Sequence, residues 1–587
     1  MRGNSPQAET KVINNPKPKS YLMKIRIAVL ITMAAAAWTC QAQPVTPAQN
    51  GFAAVTGTFY VNTNAAWYNG AAEHPGVDIA ANGNILFGWE DDGSVINDHE
   101  AVWTLHDSTG NLITPLTLQT NRSLLGNCST YQSTTNPWLS FFRADNTAIG
   151  GYTGWGGSWP KANRFGNGMG WSAMCWEIGY EIDQLYDIMM ASQQMDCPTT
   201  QLLNNDGTPL RPGVISGMNN LGILSFTAAD MSAAGGEDDV RGGEIEYLSS
   251  GNIVVMGYSR QTDDRVLTGQ TAGNVPIYRV WTPGGAEVHT YAAASSEANG
   301  GDSHRGIGVT ANGFAIRWGA DGNAPTNGST IRLFNNAGNP VGANINLATL
   351  TGHPEVAEGG DGGGAGFHGN AVNAYVWANS GGGTPWVTVI NADGTLRWSR
   401  KVQDESDPIS NGGASADVDA AIDQFGRVIV VFNAATATNF EVVSYTTQAR
   451  FFDKSGNPLG PRFIVSETES QLGVTGNAIL TQTPRVAWRG NNVVVAWQSK
   501  YAPTASGDTP PTALAARILA APITITSTSR SGTSTTINWS GGKAPYSLQR
   551  RSPLTGAWGT VQTGIAGNTT TYTDASGPAY YQVLCAQ

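Results

Sequence analysis

The chain has 587 residues, of which 40% are apolar, 13% are charged and 72 are Gly, and its formal charge is −11. Such a length admits a large core and more than one domain, and low charge with abundant Gly, Thr, Asn and Trp favours short strands and many turns. The acidic balance excludes nucleic acid as a partner, since displacing phosphate counterions needs clustered Lys and Arg; sugars and metal ions stay open.

At the N-terminus, Lys24 and Arg26 precede an apolar run from Ile27 to Ala37, and Cys40-Gln41-Ala42 puts small residues where a signal peptidase cuts. Residues 1–42 therefore read as an export signal cleaved after Ala42, with Met23 as an alternative start. A lipid anchor on Cys40 is the competing reading, which Trp38-Thr39 disfavours. No later apolar run approaches the roughly 20 residues of a membrane span. The expectation is a monomer that is secreted, periplasmic or on the cell surface, where disulfides form. Of Cys128, Cys175, Cys197 and Cys585, the preferred bridge is Cys175 to Cys197, and no Cys/His spacing suggests zinc.

Beyond the signal, paired strands recur. Val77 to Ala80 and Asn84 to Trp89 flank Asn82-Gly83, a good hairpin turn. Glu244 to Leu248 with Ile253 to Tyr258, Gly306 to Thr310 with Phe314 to Trp318, Val418 to Asp423 with Arg427 to Phe432, and Arg485 to Trp488 with Val493 to Trp497 repeat the arrangement. Ala371 to Trp377 is a weaker copy, and Met169 to Ile178 a poorly matching one. Outer strands run into Gly turns at Val102 to Gly110, Gln201 to Gly207, Ile277 to Gly284, Ile331 to Gly338, Val387 to Gly394 and Ala449 to Gly456. Gly251 to Gly313 spans 62 residues and Gly426 to Gly490 spans 64, while Gly313 to Gly426 spans 113, two units.

The repeat predicts an all-β chain, a seven-bladed β-propeller over 43–522 with an insertion at about 120–168. An eighth, partial blade at Phe141 to Gly151 is the alternative. Gly57 to Asn62 has the character of a last strand, and Leu514 to Ile518 lacks one after it, so the N-terminal strand is expected to close the final blade. Glu181 to Met190 has the spacing of one short amphipathic helix. From 523 to 587 the composition changes, and Trp539, Tyr546 to Arg550, Trp558 and Tyr580 to Val583 resemble a small fibronectin-type-III-like β-sandwich.

Arg450-Phe-Phe-Asp453-x-x-Gly456-Asn-Pro458-Leu-Gly460, followed by Val493 to Ser499, is similar to repeats in secreted bacterial β-propeller proteins of largely unassigned function. Val389 to Trp398 looks like one blade of the quinoprotein type. The resemblance implies a ring and no particular activity. Sialidase Asp-boxes, a GxSxG elbow, HExxH and a P-loop are all missing from the sequence.

Loops entering innermost strands converge on a propeller's channel, which makes them the first place to look for chemistry. Four share a Gly-Gly opening: Gly235 to Arg241, Gly300 to Arg305, Gly359 to His368 and Gly412 to Asp417. With Glu73-His74 they would gather Asp239, Asp302 and Asp361, and three of the seven His, namely His74, His304 and His368. Such groups suit a divalent cation such as Ca2+, an anionic sugar held by Arg241 and Arg305, or proton transfer by His304 or His368. Shared turn geometry is the bland explanation, because Gly accepts positive φ and Asp caps neighbouring amides. Trp155 and Trp159, in the insertion, suit a sugar face or serve as its core. No cofactor is called for. The expected function is an exported binding module for a glycan or an extracellular protein. The alternatives are a polysaccharide lyase or glycosidase of the central funnel, and a structural display protein.

Overall fold

The computed structural model describes residues 56–61, 71–92, 100–113, 158–175, 195–206, 238–259, 275–294, 306–319, 329–354, 366–379, 384–404, 418–466, 478–499 and 513–585, apart from 285, 439–440, 480, 553–554, 575–576 and 578. The expected signal, the expected helix at Glu181 to Met190, Cys128, and most of the expected insertion lie outside them.

The first strand, β1 (Phe59–Tyr60), precedes a succession of antiparallel units. Unit one is β2 (Ala71–Ile79), β3 (Ile85–Asp92) and β4 (Glu100–His106). Unit two is β5 (Ser158–Ala162), β6 (Met169–Cys175) and β7 (Met195–Leu203). Unit three is β8 (Asp238–Tyr247), β9 (Ile253–Ser259), β10 (Val275–Trp281) and β11 (Glu287–Ala293), with a short parallel join between β7 and β8. Unit four is β12 (Gly306–Thr310), β13 (Gly313–Trp318), β14 (Thr330–Asn335) and β15 (Pro340–Asn346), followed by α1 (Leu347–Thr351). Unit five is β16 (Phe367–Gly369), β17 (Ala374–Asn379), β18 (Trp386–Asn391) and β19 (Leu396–Lys401). Unit six is β20 (Val418–Ile422), β21 (Val428–Thr438), β22 (Glu441–Phe452) and β23 (Phe463–Ile464), and β24 (Ala478–Ile479) lies parallel to β22. The last unit is β25 (Thr481–Arg489), β26 (Asn492–Ser499) and β27 (Ala513–Ala520), and its fourth strand is β1, with Phe59 opposite Ala516.

The leading strands pack in cyclic succession. β2 touches β5, β5 touches β8, β8 touches β12, β12 touches β16, β16 touches β20, β20 touches β25, and β25 returns to β2. Each unit is therefore buried on two faces, which explains strands without polar alternation. On β26, Val493, Val495 and Trp497 pack with unit six, while Val494 and Ala496 pack with unit one. Each such large side chain, fully buried, contributes about 1.5–3 kcal/mol.

The turns follow one chemistry. In Asp453-Lys-Ser-Gly456-Asn457 the Asp453 Oδ1 accepts the N–H groups of Ser455 and Asn457, both at 2.8 Å, and Gly456 takes a φ of 82°. Asp107 does the same with Thr109 and Asn111, and Asn335 with Ala337 and Asn339. The Asp107 carboxyl is held far below the usual range; its slight burial works the other way, but the hydrogen bonds from Thr109 and Asn111 outweigh it. These carboxylates are occupied by their own turns.

Two expectations need correction. The leading strand of unit two is β5, inside the expected insertion, and Met169 to Cys175 is its second strand. Pro160 and Lys161 hid β5 from a search for apolar alternation. In unit five, Ala371 begins no strand; it occupies the turn with a φ of 59°, and Asn370 Oδ1 caps the N–H groups of Val372, Asn373 and Ala374.

After residue 522 come β28 (Thr524–Ser531), β29 (Ser534–Ser540), β30 (Tyr546–Arg551), β31 (Gly559–Ile565), β32 (Thr569–Thr573) and β33 (Tyr580–Cys585). They form two three-stranded sheets that share a core of Ile537, Trp539, Tyr546, Leu548, Ile565 and Val583. The tail is fixed to the turns of units six and seven. Arg427 donates to Pro522 O at 2.6 Å and to Thr524 Oγ1, and Gly541 N donates to Asn491 Oδ1 at 2.8 Å.

Candidate functional site

The leading strands carry charged residues beside apolar ones, and some of these meet along the inside of the ring. Asp78 on β2 lies between Val77 and Ile79, which pack outward with unit one's core. Its Oδ1 accepts Ile79 N and Arg164 Nη2, and its Oδ2 accepts Ala162 N from β5, each at 2.8 Å. Asp419 on β20 repeats the device: Oδ1 accepts Ala420 N at 2.8 Å, and Oδ2 accepts Val486 N from β25 at 2.9 Å. Glu244 Oε2 takes Ile307 N from β12 at 2.9 Å. Thus three carboxylates each satisfy an amide of the next unit's leading strand, which that unit's own ladders leave without a partner.

A second chain of contacts crosses four strands. Lys161 Nζ lies 3.1 Å from Glu246 Oε1 and 3.4 Å from His368 Nδ1, and His368 Nε2 lies 3.1 Å from Asp419 Oδ1. An ammonium only donates, so His368 accepts at Nδ1 and donates at Nε2 to Asp419. Burial alone would lower the Lys161 pKa, but the carboxylates of Glu246, Glu244 and Asp78 outweigh it and hold it above the ordinary lysine value. Arg164 Nη1 donates to Trp488 O at 2.8 Å, and Arg489 Nη1 to Asn163 O at 2.8 Å, tying unit two to the last unit.

The cavity bounded by Asp78, Lys161, Arg164, His368, Asp419 and Arg485 has a volume of about 40 Å3. That holds one to a few waters and no sugar. Both nitrogens of His368 are engaged, so proton abstraction there would require breaking the Lys161 contact. The arrangement fastens units together. Among the described residues, no group of three or more His, Cys, Asp or Glu is placed to hold a metal ion.

Of the residues the sequence singled out, His368 has its side chain in this cluster. Glu73, His74, Asp239 and Arg241 lie on β2 and β8, where Glu73 stands opposite Glu90 and Arg241 opposite Tyr258. Trp159 lies on β5 opposite Ser172. Asp302, His304, Arg305, Asp361 and Trp155 lie outside the described residues. Cys175 and Cys197 occupy facing positions on β6 and β7, and Cys585 is a free thiol. Sequence reasoning passed over Asp78, Lys161, Glu246 and Asp419. The signal was clearest at Asp419, the one charge in the otherwise apolar Val418–Ile422, and weakest at Glu246, whose strand holds five charged residues.

Lys161→Met is expected to cost about 3–5 kcal/mol, since it leaves Glu246 buried without its cation, while Lys161→Met with Glu246→Leu recovers most of the loss. Urea denaturation of the two variants measures this. Equal losses in both would show that the pair does not act as a unit.

No protein-family model matches the sequence, and no curated protein matches it. Solved structures with a related chain path include a protein of unknown function from Dyadobacter fermentans, 12% identical, covering 80% of this chain and 99% of that one at a TM-score of 0.37. The polysaccharide lyase Uly1 is 9% identical over 78% of this chain and 91% of that one, at 0.38. The β-propeller domain of the trilobed protease from Pyrococcus furiosus is 7% identical over 76% and 94%, at 0.33. At these TM-scores the likenesses have no bearing on chemistry.

Proposed function

We propose that the chain is an exported seven-bladed β-propeller with a β-sandwich tail, acting as a binding module for an extracellular glycan or surface protein. The observation that carries this reading is the state of the axis, whose charged groups are bonded between leading strands around a cavity of about 40 Å3. A catalytic funnel needs those groups free for substrate; a scaffold needs them as they are. The cyclic packing of the leading strands supports the ring, and the two tail sheets around one core support the sandwich.

Strand alternation also sorts the connections. Joins from first to second strand are tight turns, such as 80–84, 423–427 and 490–491, while those from second to third and from one unit to the next include 93–99, 176–194, 295–305, 355–365 and 500–512. The strand ends that these joins connect lie at one end of the ring, with Glu73, His74, Asp239, Arg241 and Trp159. The tail occupies turns at the other end. We assign contact with a surface protein to the long-join end. The facing positions of Cys175 and Cys197 support a disulfide between them, which peptide mapping without reductant tests.

Affinity electrophoresis and arrays of neutral and acidic polysaccharides, with absorbance of unsaturated uronates followed in parallel, test the function. Retention without new absorbance is expected. New absorbance would replace the reading with a lyase, and no retention by any glycan or surface extract would leave a display scaffold.

A further inference from the structure

At the turn-bearing end, units four and five enclose a cleft separate from the axis. Between β14 and β15 the register pairs Ile331 with Ile345 and Leu333 with Val341, so β15 runs four residues where β14 runs two. The surplus falls at Gly342, Ala343 and Asn344, and Gly342 takes a φ of 75° that few side chains tolerate. Bulges of this kind bend a strand away from its partner and recur beside binding sites. Here the bend lies against a cavity of about 360 Å3, bounded on its far side by Ala392 and Asp393 of the next unit. A volume of this order suits one small ligand.

The lining has two parts. Val341, 49% exposed, gives the apolar surface, above the buried Leu333, Phe334 and Tyr375, whose hydroxyl lies 3.3 Å from Thr310 Oγ1. Asn312, Asn344 and Asp393 supply planar polar groups around it. Asp393 Oδ1 is fixed by Thr395 N at 3.0 Å and Thr395 Oγ1 at 2.7 Å, and no hydrogen bond to Oδ2 is present among the described residues. An amide or carboxylate presents two hydrogen-bonding atoms spaced to meet adjacent hydroxyls, and the exposed Val341 side chain can meet the C–H face of a sugar ring. A fixed negative charge disfavours an anionic ligand.

We propose that the cleft between the Gly342–Asn344 bulge and the Ala392–Asp393 turn binds one neutral sugar residue, with Asp393, Asn312 and Asn344 meeting its hydroxyls. This rests on the glycan-binding reading and adds to it a place and a sugar class.

The test uses the full chain, with the methyl glycosides of glucose, galactose, mannose and N-acetylglucosamine, and with glucuronate, in saturation-transfer NMR and calorimetry. At least one neutral glycoside is expected to bind and glucuronate to fail. Asp393→Ala should weaken binding about tenfold or more, as expected for loss of a charged hydrogen-bonding group. Ala343→Trp, at an exposed position, should abolish it by filling the cleft, and Asn312→Ala, also exposed, supplies a variant that keeps the fold. Unchanged glycan retention by Ala343→Trp and Asp393→Ala would overturn the site while leaving the binding module standing. Glucuronate binding in preference to the neutral glycosides would overturn the class. Absence of any glycan binding by the natural chain would overturn both.

Discussion

Asp419→Ala is expected to lower the stability of the fold by about 3–5 kcal/mol, the range for removing a buried, hydrogen-bonded carboxylate from beside a cation, here Arg485. The truncation strips Ala420 N and Val486 N of their acceptor and His368 of its partner at once. Each buried N–H so orphaned costs about 1–3 kcal/mol on its own. Acid sharpens the test. Burial alone would raise the Asp419 pKa, but His368, Arg485 and the Val486 N–H outweigh it and hold the carboxyl below its ordinary value. A carboxylate depressed on folding contributes stability that is complete above its unfolded pKa, about 3.9, and disappears as pH falls through its folded value. Asp419→Asn should therefore flatten the acid limb of a stability-against-pH curve below about pH 4 relative to the natural chain. A curve of unchanged shape would mean that the carboxylate carries no net charge-dependent stability.

Gly369→Ala is expected to be more damaging than its one added methyl suggests. Leading strands β12 and β16 meet through glycines, and a methyl on Gly369 would fall within the backbone of Val309. From the other side, a methyl on Gly308 would stand 2.8 Å from the Tyr375 ring and 3.0 Å from Gly369 N. Overpacking a core costs about 1–3 kcal/mol when side chains can turn aside. Backbone cannot, so Gly369→Ala should reach or exceed that ceiling, read as a depressed melting temperature or loss of soluble protein. Gly567→Ala, with nothing within 4 Å of the added methyl, is the neutral control. Equal melting temperatures for the two variants would show that units four and five do not approach as closely as described.

The sequence shows these units clearly wherever a leading strand is apolar. Gly306 to Thr310 and Phe314 to Trp318 were expected as a hairpin, and β12 and β13 occupy nearly those bounds. The same reasoning lost β5, since Pro160 and Lys161 interrupt its apolar run and Lys161 points at Glu246. It misread Ala371 because Asn370 shapes that turn through its side chain, leaving no Gly to mark it. The axis was legible in residue type and illegible in grouping. Asp419 is visible as the lone charge of an apolar strand, and Asp78 as a charge between Val77 and Ile79. Nothing local relates Lys161 to His368, 207 positions later, because their meeting depends on the order in which the units pack. The cleft at Gly342 to Asn344 had no sequence signal beyond one Gly in a short strand.

The pairing of Phe59 and Tyr60 with Ala516 and Ala515 also fixes when this protein can finish folding. Synthesis runs N-terminus first, so β1 emerges early and then waits for its partner, more than 450 residues behind it. During that interval the bare margin of unit one has no neighbour, and strands exposed in this way are the ones that join other chains. Completion is thus an event of the whole ring, and a pause in synthesis before residue 520 is the moment of greatest exposure to aggregation.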